Sequence, residues 1–292
     1  MKAFKVLSLC AAACLLGACS SDDEAGQTAP ASFQVEAAIL NTPETRAPQL
    51  DSQGAGTFRP GDRNTLFLQQ EGGQYLQPFD YTYGASYFWS DLKLPEGAKR
   101  CRISACYPEV KTGTPQNHKW DVTQAQPTAD LLAAAPVAAE VGAPSVRLHF
   151  AHLMHRFAVV LKAEGNGVTE EQLAGAQISC RSFLPVAEVN LLEAKAIQAS
   201  GSKTTLTRQG KQVEFLLPGQ PVGDIEVMVQ IGDRQKTCLL SSCVVNGQKL
   251  NELQSGKQFT LTFGVKPEEI FVLGQDIAGW GDQGSADDTI IF

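Results

Sequence analysis

The sequence predicts an all-β protein of β-sandwich type behind a secretory leader and a flexible tether. Three observations carry that prediction. Most apolar segments alternate with period two, which puts one face of a strand into a core. Gly, Pro, Asn and Asp punctuate the chain between those segments, as in proteins of many short strands. Helical signals are confined to two short stretches. The chain has 292 residues, 43% of them hydrophobic and 19% charged. That suits one large or two ordinary domains with real cores and excludes wholesale disorder.

The first element is the leader. Lys2 and Lys5 precede an apolar run at residues 6–16. As a helix this run reaches about 16 Å at ~1.5 Å per residue, too short for a bilayer core of ~30 Å. It reads as the apolar region of a signal peptide. Leu16-Gly17-Ala18-Cys19 resembles the bacterial lipobox, so the leader is expected to span 1–18 and Cys19 to become the lipidated first residue. Ser20-Ser21-Asp22-Asp23-Glu24 resembles the acidic signal that sends lipoproteins of some Gram-negative anaerobes to the outer face of the outer membrane. The expected location is therefore the cell surface, with the body held by a lipid anchor. Residues 131–146, the longest other apolar candidate, are broken by Pro136, Glu140 and Pro144.

Residues 19–57 read as the lipidated tether, with one short strand at Phe33-Gln34-Val35-Glu36-Ala37. Thr65-Leu66-Phe67-Leu68 is a short apolar strand. Asp130 to Ala135 reads as a helical turn or two. Val146, Leu148 and Phe150 alternate with Arg147 and His149. Thr169 and Gln172 form a capping-box pattern ahead of a short helix. Val213, Phe215 and Leu217 share a face. Ile225, Val227, Val229 and Ile231 make the clearest strand, and Gly232-Asp233 should return it through Thr237 to Leu240. Asn246-Gly247 is a two-residue hairpin signal. Phe259, Leu261 and Phe263 form the last clear alternation. Gly165-Asn166-Gly167 is the best boundary, giving units at 58–165 and 166–292.

Charge excludes some functions. Lys and Arg number 24 against 31 Asp and Glu, a net of −7. A nucleic-acid binder needs a basic face for phosphates, so none is expected. His149, His152 and His155 do not converge on either a helix or a strand, and no nearby carboxylate completes a ligand set, so no metal or other cofactor is expected. The chain lacks G-x-S-x-G, a P-loop and G-x-G-x-x-G, and no carboxylate pair stands out, so the expectation is not an enzyme. Cys101, Cys106, Cys180, Cys238 and Cys243 read as buried thiols, although a cross-link such as Cys101–Cys238 stays open. A bridge within either close pair requires a turn, because five residues of strand separate the backbones by about 16 Å, while a disulfide needs Cα atoms within about 7 Å. Tyr75, Phe79, Tyr81, Tyr83, Tyr87, Phe88 and Trp89 form an aromatic cluster that suits either a sandwich core or a glycan platform.

Several landmarks follow the lipobox in order. They are Phe58-Arg59-Pro60-Gly61-Asp62, Tyr87-Phe88-Trp89, Ile103-Ser104-Ala105-Cys106-Tyr107-Pro108, and the run from Val146-Arg147-Leu148 to His155-Arg156-Phe157. Leu216-Leu217-Pro218-Gly219, Gly256-Lys257-Gln258-Phe259 and Ile277-Ala278-Gly279-Trp280 complete the set. This order resembles the fimbrillin family, the subunits of type V pili of Gram-negative anaerobes. His155-Arg156 departs from it, standing where the family more often has a small residue and Lys, and the tail after Trp280 is short.

The resemblance implies two tandem transthyretin-like β-sandwich domains. It implies a fimbrial subunit that travels as an outer-membrane lipoprotein, is cut by a surface Arg-specific protease, and joins other fimbrial subunits by strand exchange. The candidate cut is Arg46-Ala47, held extended by Pro43 and Pro48, with Arg59 and Arg63 as alternatives. The candidate donor strand is Thr289-Ile290-Ile291-Phe292, beyond a polar hinge at 281–288, with part of 270–277 joining it. The alternative expectation is a tip adhesin or monomeric surface lipoprotein that binds a glycan, with a host or bacterial surface glycan or protein as partner.

Overall fold

The computed structural model describes residues 30–39, 58–125 and 130–279. Strands dominate, and most pair antiparallel. A six-stranded sheet contains β1 (Val35–Ile39), β2 (Arg63–Gln69), β3 (Tyr75–Thr82), β4 (Arg100–Tyr107), β5 (Leu132–Glu140) and β6 (Val146–His152). Its order is β1-β6-β5-β4-β2-β3. Only β1 runs parallel to its neighbour, with Val35 opposite Val146 and Ile39 opposite Phe150.

This sheet is covered on both sides. Leu66 and Leu68 enter one core cluster with Leu148 and Phe150, whereas Phe67 enters the other with Val110, Leu131 and Ala133. A strand buried on both faces carries a continuous apolar run rather than an alternation, which is why residues 66–68 are uniformly apolar. The same cause overturns the helical expectation at Asp130 to Ala135. Leu132 and Ala134 face one cluster and Leu131 and Ala133 the other, and the segment is strand β5. Tertiary burial overrides the helix preference of alanine.

The chain leaves the first sheet at Leu153. β7 (Met154–Ala163) then pairs antiparallel with β10 (Gln212–Pro218) and parallel with β13 (Lys257–Val265). β14 (Ile270–Gly279) closes that sheet in the order β10-β7-β13-β14. A second four-stranded sheet holds β8 (Gln177–Phe183), β9 (Thr204–Gln209), β11 (Glu226–Ile231) and β12 (Arg234–Leu239), ordered β9-β8-β11-β12. Ile178, Cys180, Val227 and Val229 join Phe157, Phe215, Phe259 and Phe263 in one core. Phe157 stacks on Phe259 at 5.6 Å and on Phe215 at 6.0 Å. The segment 154–163, placed by the sequence reading in the 58–165 unit, thus has its strand partners at 212–218 and 257–265. Conversely, His118–Asp121 pairs with Val186–Asn190.

The local signals are present where the sequence puts them. Thr169 and Gln172 exchange both capping-box hydrogen bonds at the start of Glu170–Ala174. Gly232-Asp233 joins β11 to β12. Asn246 and Gly247 take φ of 49° and 78° between Val244–Val245 and Gln248–Lys249, the positive pair that a tight hairpin requires. Among the described residues no helix is long and apolar enough to cross a membrane.

Candidate functional site: an edge groove filled by the N-terminal strand

Residues 31–39 form a wedge in the first sheet. Ser32–Phe33 pairs with Tyr87–Phe88, and after Gln34 the chain continues as β1 beside β6. Phe33, Val35 and Ile39 are buried, at 0%, 7% and 2% exposure. The alternation of the sequence delivers Phe33 and Val35 to the same face, and both enter the cluster that holds Leu148 and Phe150. Among the described residues β1 is the terminal strand of its sheet, and its ladder partner is β6.

The aromatic cluster is the wall of this groove. Phe33 meets Trp89 edge-on at 4.9 Å and Tyr81 at 6.2 Å. Tyr81 packs on Tyr87 at 5.1 Å. The Val35 amide donates to the Tyr81 hydroxyl at 3.1 Å, and the Trp89 amide donates to the Ala31 carbonyl at 3.1 Å. The Val146 amide donates to the Gln34 carbonyl at 2.8 Å. Of the cluster only Phe88 is strongly exposed, so these rings serve as core and groove rather than as an open platform. Outside the groove, Glu36 accepts from Ser145 at 2.7 Å and pairs with Arg147 at 3.0 Å. Those two contacts, Ser145 first, hold its carboxyl below the usual range. The pair is exposed and adds little.

Burial and backbone ordering oppose each other in the wedge. Burial of Phe33, Val35 and Ile39 stabilises by roughly 1.5–3 kcal/mol each. Ordering the backbone costs about 1–2 kcal/mol per residue. Withdrawal would expose the edge of β6, a row of unpaired backbone groups above an apolar trench.

The other sequence-predicted residues fall as follows. Cys19, Arg46, Ala47, Thr289, Ile290, Ile291 and Phe292 lie outside the described residues, as do the acidic stretch 20–24 and Leu40. Arg59 donates its amide to Asp62 at 2.6 Å in a turn. Arg63 sits in the β2–β3 ladder opposite Thr82 and pairs with Glu109 at 2.7 Å, so its backbone is not presented as an extended, unpaired substrate. The segment 270–277, offered as an extension of the donor, is bonded to β13 from Val265–Ile270 to Lys257–Gly279. It is an edge strand of its own sheet.

The histidines separate. His149 is exposed. The buried His152 bonds through Nδ1 to the buried Asp130 carboxylate. Sequence reading missed that carboxylate, because Asp130 precedes β5 and meets His152 only when β5 pairs with β6. Among the described residues no three His, Cys, Asp or Glu side chains group as metal ligands. Buried Arg156 bonds to Glu214 and donates to Gln258 at 2.9 Å. The five cysteines from Cys101 onward are free and buried, and Cys101 and Cys238 belong to different core clusters.

His155 donates through Nδ1 to the Gln254 carbonyl at 2.8 Å. Burial pushes its imidazole down to about 4 from 6.5, against the opposing pull of that carbonyl. The unfolded chain therefore binds more protons between those values. His155 contributes stability that is fully present above pH 6.5 and is lost as pH falls toward 4, by about 3 kcal/mol. Urea unfolding across this window should show a steeper acid loss for the native protein than for His155→Gln. Equal slopes would reject the assignment.

Comparison with known proteins places this architecture. The sequence profile described as fimbrillin-like matches residues 45–280. No curated protein gives a significant match. The fold is similar to a crystal structure of a candidate cell adhesion protein from Bacteroides uniformis, with a TM-score of 0.63, 17% identity, and coverage of 77% of this chain and 93% of that one. It is also similar to a candidate cell adhesion protein from Bacteroides ovatus, with a TM-score of 0.60, 18% identity, and coverage of 86% and 98%. At these identities the likeness establishes the fold, and the profile, which covers most of the chain, establishes the lineage: the chain belongs to the fimbrillin-like family.

Proposed function

We propose that the protein is a structural subunit of a cell-surface fimbria, exported as a lipoprotein through Cys19 and assembled by β-strand exchange in support of adhesion. The observation that supports this reading best is the wedge at residues 31–39. It is a short terminal strand with three buried anchors, joined to the body through the segment that contains Arg46. Cleavage between Arg46 and Ala47 by a surface Arg-specific protease severs the wedge from the body. Its release opens the edge of β6 and the trench walled by Trp89 and Tyr81. A strand from another fimbrial subunit then restores the ladder and refills the trench, the physics of β-augmentation. Thr289-Ile290-Ile291-Phe292 is the proposed donor, because an apolar, β-prone end beyond a polar hinge can reach out of its own fold.

The test is digestion of the non-lipidated protein with an Arg-specific protease, followed by intact mass and a non-boiled gel. The expected result is one cut after Arg46, loss of residues 31–39 and multimers that resist detergent, with Arg46→Gln remaining uncut and monomeric. A cut protein that loses the wedge and stays monomeric would overturn self-assembly by exchange. Deleting residues 288–292 should abolish the multimers while leaving the cut. Multimers formed equally by the truncated protein would overturn the donor assignment.

A further inference from the structure

Cys238 is the penultimate residue of β12 and Cys243 follows the 3-10 turn Leu240–Ser242. That turn folds the chain back, with the Cys243 amide donating to the Leu240 carbonyl at 3.0 Å. It brings the two Sγ atoms to 3.9 Å, both buried. Cys101 and Cys106 have the same spacing but lie along β4 and enter opposite core clusters, so no such approach exists there. We propose that Cys238 and Cys243 form an intrachain disulfide after export, which staples the 240–250 segment to β12.

The site has an order of events built into it. Cys238 keeps 9% of its surface exposed and Cys243 only 1%, so an oxidant reaches Cys238 first. The hydrogen bond from Cys243, with help from Ser242 and the charge of Lys236, draws the Cys238 thiol down to about 7. The hydrogen bond with Cys238, followed by burial, pushes the Cys243 thiol up. The Cys238 thiolate attacks one sulfur of an oxidant disulfide, forming a mixed disulfide and releasing one oxidant thiolate, which takes up a proton. Cys243 loses its proton, attacks Cys238 Sγ and expels the second oxidant thiolate. The two cysteines are oxidised by two electrons, and the oxidant disulfide is reduced to two thiols. Oxidising compartments outside the cytoplasm supply such disulfides.

The staple has a mechanical consequence. The Val244 amide, one residue past Cys243, donates to Gln275 Oε1 of β14 at 2.8 Å. Fixing Cys243 therefore fixes the segment that borders the last described strand.

The test uses the full reduced chain equilibrated with oxidised glutathione, then unfolded and treated with a thiol-blocking reagent. The expected product is a monomer lighter by two hydrogens, with a non-reduced peptide map joining Cys238 to Cys243 and with Cys101, Cys106 and Cys180 all labelled. Melting of the oxidised form should exceed that of the reduced form by several degrees, and the difference should vanish in Cys238→Ala and in Cys243→Ala. Labelling of both Cys238 and Cys243, or a bridge that maps to another pair, would overturn the proposal. Because both readouts come from the uncut monomer, the result is separate from the strand-exchange reading.

Discussion

Phe33→Ala is expected to destabilise the first sheet by about 3–5 kcal/mol, the usual cost of emptying a fully buried phenylalanine site. The value belongs at the upper end of the wedge because Phe33 is wholly buried and meets both Trp89 and Tyr81 edge-on. Edge contacts of this kind add about 0.5–1.5 kcal/mol beyond burial. Ile39→Ala and Val35→Ala remove smaller side chains and should rank below it. Under the strand-exchange reading, in which the wedge leaves before the body unfolds, the loss in global stability is capped at the free energy that attaches it. Two measurements separate these quantities. Urea unfolding reads the global term, and amide exchange at residues 35–39 reads local opening. Phe33→Ala should raise exchange there far more than in β7 or β13. Unchanged exchange at residues 35–39 would show that Phe33 is not the anchor. Under the strand-exchange reading, the same variant should speed multimer formation after cleavage, because the incoming strand displaces a weaker competitor.

What the sequence revealed and what it hid divide on physical lines. The alternating strands at 146–150, 227–231 and 259–263 were legible because one face of each is buried and the period alone reports it. The Asn246-Gly247 turn was legible because only that backbone geometry demands those residues. β5 was misread because burial on both faces erases the alternation and leaves an alanine-rich run. The change of sheet at Leu153 was hidden because no Gly or Pro marks it; β6 and β7 follow each other in extended backbone, and only their partners differ. The strand near Phe33 could be seen, but not the pairing of Ser32–Phe33 with Tyr87–Phe88, which depends on partners far along the chain. The same limit hid Asp130 beside His152 and the closeness of Cys238 to Cys243. In each case local chemistry was readable and the long-range meeting of two local pieces was not.

Asp130→Ala tests the meeting point that controls the change of sheet. Asp130 and His152 are both buried, and their pair sits where Leu132 faces His152 and the Leu153 amide donates to the Leu131 carbonyl at 2.9 Å. The pair thus fastens the start of β5 to the end of β6 at the residue from which the chain departs for the second core. Removing one partner leaves the other buried without this hydrogen bond, a change that costs about 1–3 kcal/mol. Asp130→Asn keeps the shape and one acceptor oxygen, so it should lose less. Removing both partners should cost less than the sum of the single losses, because no polar group is then stranded by its missing mate. A double-mutant cycle with His152→Leu and Asp130→Ala, read by urea unfolding, should therefore show a coupling of at least about 1 kcal/mol. Strict additivity would mean that Asp130 and His152 are independent and that the changeover is held by packing at Leu131 and Leu153 alone.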